Sequence, residues 1–124
     1  MKSKKRKDIE MSKRRVFNKE IIYSRAFASL PDRARILYQY MILEADDDGF
    51  VDDPLRVIRM ADATEENYKM LRDKGFLLEF KSGICVLTHW LCHNTTSREG
   101  YTRTMFLEER AQLRVRPNGE YYLY

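Results

Sequence analysis

Gly75-Phe76-Leu77-Leu78-Glu79-Phe80-Lys81-Ser82-Gly83-Ile84-Cys85-Val86-Leu87-Thr88-His89-Trp90 is the stretch on which the fold turns. Two runs rich in apolar, aromatic and β-branched residues flank the polar Lys81-Ser82-Gly83, which is the pattern of an antiparallel hairpin. The residues before it read as helix. Thr64 precedes Glu65 and Glu66, acids in a first turn where the helix dipole favours them, and Tyr68 and Leu71 supply an inner face up to Gly75. A helix is therefore expected over Thr64 to Lys74. Further upstream, Pro54 suits a first helical turn behind an Asp53 N-cap, and Leu55, Val57, Ile58 and Met60 run to about Ala61.

Outward again, Ala34, Leu37, Tyr38, Met41, Ile42 and Ala45 recur at three- and four-residue intervals from Pro31 onward, with Asp32 able to cap. Ile36, Tyr40 and Leu43 form a second stripe, so this helix is expected to be covered twice, by the core and by the terminal segments or a partner chain. It stops at Asp46-Asp47-Asp48-Gly49, where Gly49 can turn left-handed, and Phe50-Val51 reads as a very short strand. Val16, Phe17, Ile21, Ile22, Tyr23 and Phe27 make a short apolar segment, strand or first helix. Beyond Trp90 the pattern predicts a polar loop from His93 to Thr104, a helix over Met105 to Leu113, a Pro117-Asn118-Gly119 turn and an aromatic end. Helix, short strand, helix, tight turn, helix, hairpin is the order of an α+β winged helix-turn-helix: a three-helix core with a small antiparallel β-sheet wing. The expected organisation is a basic arm over 1–15, the winged-helix domain over 16–92, and a C-terminal extension over 93–124 packing on it.

The 124 residues, 44% hydrophobic, suit one domain with one modest core. Charged residues make up 34% and mean hydropathy is −0.61, and apolar runs such as Ile84 to Leu87 are far too short to span a bilayer, so no membrane association is expected. No apolar run of signal-peptide length follows the cationic start, which points to a cytoplasm and to reduced thiols at Cys85 and Cys92. The formal charge of +4 is uneven. Lys2, Lys4, Lys5, Arg6, Lys7, Lys13, Arg14 and Arg15 face only Asp8 and Glu10 in the first fifteen residues, +6, so the remainder is net −2. Such an arm suits a polyanion, because basic groups near phosphates release condensed counterions; a solubilising tail is the competing reading.

Arg14-Arg15-Val16-Phe17, Asp46-Asp47-Asp48-Gly49-Phe50-Val51 followed by Pro54, Gly75-Phe76, His89-Trp90, His93-Asn94 and Asn118-Gly119 together resemble the N-terminal domain of phage replisome organisers, relatives of the DnaD-type replication initiators of Gram-positive bacteria and their prophages. The resemblance spans about Met11 to Tyr122. It implies a winged helix that recognises double-stranded origin DNA in the host cytoplasm and joins replisome or helicase-loading proteins. Members of that family carry a further C-terminal domain, so this chain is expected to be an excised domain or a stand-alone relative. Its two cysteines and first ten residues depart from the family pattern.

In a winged helix the third helix enters the major groove while the wing and loops touch phosphates. Asn67 is then placed to read adenine and Arg72 guanine, with Lys69, Lys74 and wing Lys81 on phosphates beside the arm residues Lys4, Lys5, Arg6, Lys7, Lys13, Arg14 and Arg15. Glu65 and Glu66 fit DNA poorly, and an exposed helix with a Glu65–Lys69 pair is the alternative. The loop from His93 to Arg103, with Arg98 and Arg103, offers hydroxyls, amide and guanidinium for phosphate and sugar, or is an ordinary polar surface loop.

Cys85, His89, Cys92 and His93 invite a zinc reading, since zinc takes thiolate and imidazole. Strand alternation separates Cys85 from His89 by roughly 13 Å, so core cysteines and hydrogen-bonded histidines near Trp90 are expected, with no metal and no cofactor. Asp46, Asp47, Asp48, Asp52 and Asp53 lack calcium-loop spacing and read as a solvated turn that caps the next helix. No phosphate loop, nucleophile elbow or supported acid–base pair is present, and no enzyme is expected. Tyr121, Tyr122 and Tyr124 crowd the end, which favours a homo-oligomer. The remaining alternatives are a protein-interaction or oligomerisation module of the replisome and a small winged-helix transcriptional regulator.

Overall fold

The computed structural model describes residues 14–97 and 99–124. It is an α+β structure built on one long helix. Two short helices come first, α1 (Lys19–Ile22), capped by the Asn18 side chain, and α2 (Arg25–Ala28), capped by Ser24. The apolar segment left open between strand and helix is thus helical.

α3 (Asp32–Glu44) buries Ala34, Leu37, Tyr38, Met41 and Ile42, the stripe its periodicity predicts. Its N-cap position is Pro31 and no side chain caps it. Asp32 already lies inside the helix and pairs with Arg35, so the expected Asp32 cap is not made. The second stripe is covered only in part: Ile36 and Tyr40 pack against the core, whereas Leu43 is exposed.

After β1 (Phe50–Val51) come α4 (Pro54–Met60), with Asp53 accepting the N–H of Arg56, and α5 (Glu65–Asp73), both packed on α3. The hairpin strands are β2 (Leu77–Glu79) and β3 (Cys85–Leu87). The sheet order is β1-β3-β2, antiparallel throughout, with Phe50 opposite Val86 and Leu78 opposite Val86 on the other side. β3 ends three residues before Trp90. The chain then coils into α6 (Trp90–His93), which carries the fully buried Trp90 indole inward, its Nε1 donating to the Asp47 carbonyl at 2.9 Å.

The C-terminal part contains α7 (Leu107–Ala111) and a second antiparallel hairpin, β4 (Leu113–Val115) and β5 (Tyr121–Leu123), where the sequence pattern suggests a longer helix, a Pro117-Asn118-Gly119 turn and an aromatic end but no strands. This hairpin is stitched to the body: the Tyr121 N–H donates to the Thr88 carbonyl at 2.8 Å and its hydroxyl to the Asp48 carbonyl at 2.9 Å. Leu113 and Tyr121 join the same core as Leu37 and Trp90. Among the described residues, no helix is long and apolar enough to cross a membrane.

Candidate nucleic-acid interface

The expected reading surface on α5 begins with a capping box. Thr64 Oγ1 accepts the Asn67 N–H at 3.2 Å, and Asn67 Oδ1 accepts from the Thr64 N–H at 2.9 Å and its hydroxyl at 3.0 Å. Asn67 does here what a Glu or Gln does in the usual box. Bidentate reading of adenine needs both the oxygen and the nitrogen of the amide, and in this structure the Asn67 oxygen is engaged in the cap. Arg72 is also engaged: Nε lies 3.1 Å from Asp73 Oδ1 and Nη1 3.4 Å from Glu79 Oε1. Lys69, Lys74 and Lys81 are exposed.

A cleft of about 440 Å³ lies between the start of α4, α5 and the β2–β3 turn. Its charged lining is Asp52, Asp53, Glu65 and Glu79 against Lys69 and Arg72. Carboxylates outnumber cations in this lining, so the charge of the cleft is net negative.

The acidic turn is not solvated as expected. Asp48 is 4% exposed and Asp47 is 9% exposed. Asp46 Oδ1 accepts the N–H groups of Asp48 and Phe50, and its Oδ2 accepts the Thr104 hydroxyl at 2.6 Å. Asp47 Oδ2 accepts the Thr102 N–H at 2.8 Å. Asp48 accepts the Tyr101 hydroxyl at 2.8 Å and the Thr104 N–H at 2.7 Å. The three carboxylates therefore hold the segment 101–104 against the turn. Burial raises the Asp46 carboxyl above its usual range, against the lowering effect of those donors. Of the five acids, Asp52 and Asp53 stay exposed.

Arg15 also departs from expectation. Its side chain is 7% exposed, with Nη2 donating to Asp47 Oδ1 and to the Ala45 carbonyl, both at 3.0 Å, and its guanidinium 5.2 Å from the centre of the Trp90 ring. Its guanidinium is thus packed into the body of the fold, whereas Arg14 beside it is exposed. Lys4, Lys5, Arg6, Lys7, Lys13 and Arg98 lie outside the described residues.

The start of the polar loop is likewise structural. Asn94 exchanges two hydrogen bonds with the Val16 backbone, and the His93 ring lies between Asn18 and Tyr38. His89 Nε2 lies 3.6 Å from Glu120, and burial lowers its pKa. Cys85 is sealed in β3, where burial pushes its thiol up to about 12, and Cys92 donates to the Asn118 carbonyl at 3.4 Å. The four residues of the zinc reading thus have separate partners.

Arg103, exposed as expected of that loop, lines a second cleft of about 440 Å³ with Arg110 and Arg114, between α7, the second hairpin and the acidic turn. Beside it Arg114 stacks on Tyr124, guanidinium to ring centre 4.0 Å, and Arg116 on Tyr122 at 4.4 Å. Arg110, Arg114 and Arg116 were not singled out by the sequence. The signal was the alternation Leu113-Arg114-Val115-Arg116 before a Pro-Asn-Gly turn, which as strand puts both arginines on the same face as Tyr122 and Tyr124, with Arg114 directly across from Tyr122 and Arg116 across from Glu120. No family model matches the chain, and no curated protein or solved structure is significantly similar to it.

Proposed function

We propose that this chain is a DNA-binding winged helix of the kind that heads phage and prophage replication initiators, working in a bacterial cytoplasm and holding double-stranded DNA by its phosphates. The observation that supports the reading is topological: α3, β1, α4, α5, β2 and β3 follow in the order expected of a winged helix, and β1 pairs with β3 as the third strand of the small antiparallel sheet. The cationic first fifteen residues support a polyanionic partner. Asn67 and Arg72 are occupied, so binding rests on phosphate contacts more than on base reading by α5. Replisome or helicase-loading proteins are the further partners this reading implies.

The test is fluorescence anisotropy with duplex and single-stranded DNA at low and moderate salt, using the full chain and a version starting at Met11. Duplex binding by both versions, weakening steeply with salt, is the expected result. Binding that vanishes on trimming assigns the affinity to the tail alone, and no binding by either version overturns the reading.

A second reading, self-association or protein docking, is favoured by one observation. Met105, Leu107, Leu123 and Tyr124 are all exposed, apolar and close in sequence to the second hairpin.

A further inference from the structure

We infer that the cleft formed by Arg103, Arg110 and Arg114 is a seat for a backbone phosphate of DNA, with the Arg114–Tyr124 and Arg116–Tyr122 stacks extending the track along the second hairpin. The inference rests on the DNA-binding reading and deepens it, because it moves the principal contact from α5 to the C-terminal part of the fold.

Charge makes the case first. Among the described residues, none of Arg103, Arg110, Arg114 and Arg116 forms an ion pair with a carboxylate, whereas Arg72 on α5 is paired with both Asp73 and Glu79. The one carboxylate lining the cleft is Asp48, which is buried and already accepts the Tyr101 hydroxyl and the Thr104 N–H. Three arginines thus line one hollow against a single buried carboxylate, which leaves an excess of positive charge there. An entering anion offsets it.

Geometry adds to it. Arg110 lies over the Tyr121 ring at 5.8 Å, Arg114 over Tyr124 at 4.0 Å, and Arg114 Nη1 donates to the Leu113 carbonyl at 3.0 Å. Guanidinium groups fixed in this way lose less freedom on gripping a phosphate, and their planar fork suits its oxygens. Thr96 adds a hydroxyl group to the lining, and Tyr101, whose own hydroxyl is held by Asp48, adds its ring beside Leu91, Leu107 and Leu113. Tyr124 is 87% exposed and offers a free ring edge beside the track. Positive charge, a hydroxyl and aromatic rings on one surface form the set that follows a nucleic-acid backbone. The α5 cleft, of the same size, has the opposite charge balance.

The experiment compares the full chain with Arg103→Gln/Arg114→Gln and with Lys69→Gln/Lys81→Gln, measuring affinity for a short fluorescent duplex across a salt series. The cleft variant is expected to lose about tenfold in affinity at moderate salt, and its plot of log affinity against log salt should be shallower by about two. The Lys69→Gln/Lys81→Gln variant should change less in both. A thermal melt checks folding, and the exposed Arg103→Gln alone, with a slope shallower by about one, serves if the double variant melts early. Wild-type binding with an unchanged slope in the cleft variants overturns the inference and leaves the DNA reading standing. If the wild type binds no duplex, that reading falls. Amide NMR titrations with inorganic phosphate and with a thymidine dinucleotide then decide the cleft. Shifts at Thr96 and over 101–103 that vanish in the variant keep it as a phosphate seat, and the stronger of the two ligands names the source. Silence from both overturns it.

Discussion

Nδ1 of His93 accepts the backbone N–H of Asn18 at 2.8 Å, and this one bond fixes the state of the ring. A main-chain N–H can only donate, so Nδ1 is bare and the proton of the neutral ring sits on Nε2, which donates to the Tyr38 hydroxyl at 2.8 Å. Protonating Nδ1 would set one N–H against another. Burial first, and the neighbouring His89 second, push the His93 pKa down to about 4. The unfolded chain, with a pKa of about 6.5, then binds more protons than the folded one as pH falls below that value. The His93 contribution is fully present above about pH 6.5 and is lost as pH falls through about 4, a total on the order of 3 kcal/mol. Burial lowers His89 in the same direction, while the raised Asp46 carboxyl acts with the opposite sign. Urea unfolding at several pH values, with His93→Gln as reference, should show a flatter profile in the variant; parallel profiles would remove His93 as the cause.

Arg15 to Asp47 is a buried pair, and its loss should weaken the fold without touching DNA. Replacing Arg15 by Ala leaves the Asp47 carboxylate, 10% exposed, without this cation and opens space over Trp90. Breaking a buried pair from one side costs about 3 kcal/mol. Arg15→Lys keeps the charge but loses the planar stack and one of the two donor contacts, and should cost less. Denaturant midpoints measure both. An Arg15→Ala chain as stable as wild type, but weaker on duplex DNA, would return Arg15 to the phosphate-binding arm.

The three core helices and the first hairpin were legible because each is a local pattern. The stripe from Ala34 to Ala45, the Asp53 and Thr64 caps and the Lys81-Ser82-Gly83 turn all lie within a few residues of what they organise. The acidic turn was misread because its partners are distant in sequence. Arg15 lies 32 residues before Asp47, Thr102 lies 55 after it, and Thr104 lies 56 after Asp48. A run of aspartates reads as solvated unless the chain brings donors to it, and that is a tertiary event. The second hairpin was missed for another reason. Its strands show three residues each, with arginine on the outer face, and such short alternation is hidden beside a helical stretch. The alternation Leu113-Arg114-Val115-Arg116 marks a strand that carries Arg114, but the arginine cleft itself needs α7, the hairpin and the turn together.

Gly49 and Gly83 give a paired test of backbone strain against packing. Both have positive φ, +93° and +92°. A Cβ on Gly49 would lie 2.6 Å from Cγ and 2.7 Å from Cβ of Trp90, which is fully buried and cannot give way, whereas a Cβ on Gly83 meets nothing within 4 Å. Gly83→Ala should cost about 1 kcal/mol, from conformation alone. Gly49→Ala adds an overpacked core and should cost about 3 kcal/mol or more. Equal melting shifts for the two would contradict the tight approach of Gly49 to Trp90.

Exposed apolar groups near the second hairpin predict self-association. Met105 is 88% exposed and Tyr124 87%, with Leu107 and Leu123 about half exposed. Light scattering across micromolar concentrations should show a mass above that of one chain, falling toward it in a Leu123→Glu/Met105→Glu variant. A single-chain mass throughout for the wild type would remove the oligomer and weaken the docking reading with it.

Asp48 joins the turn before β1 to the segment that leads into α7, so its carboxylate and Tyr101 should act as one unit. The Tyr101 hydroxyl reaches both carboxylate oxygens, at 2.8 and 3.0 Å, and the second of these also accepts the Thr104 N–H. Asp48→Asn keeps the shape but turns one acceptor into a donor, which costs about 1–3 kcal/mol for a buried site. Tyr101→Phe removes the other half of the bond. If the two groups share one interaction, the double variant loses less than the sum of the singles, by about 1 kcal/mol or more. Hydrogen exchange at Thr102 and Thr104 should quicken in each single variant while Leu37 and Met41 in α3 keep their protection, because the clasp can open before the core does. Additive losses, or equal quickening in α3, would mean that the turn and the C-terminal segment do not depend on each other through Asp48.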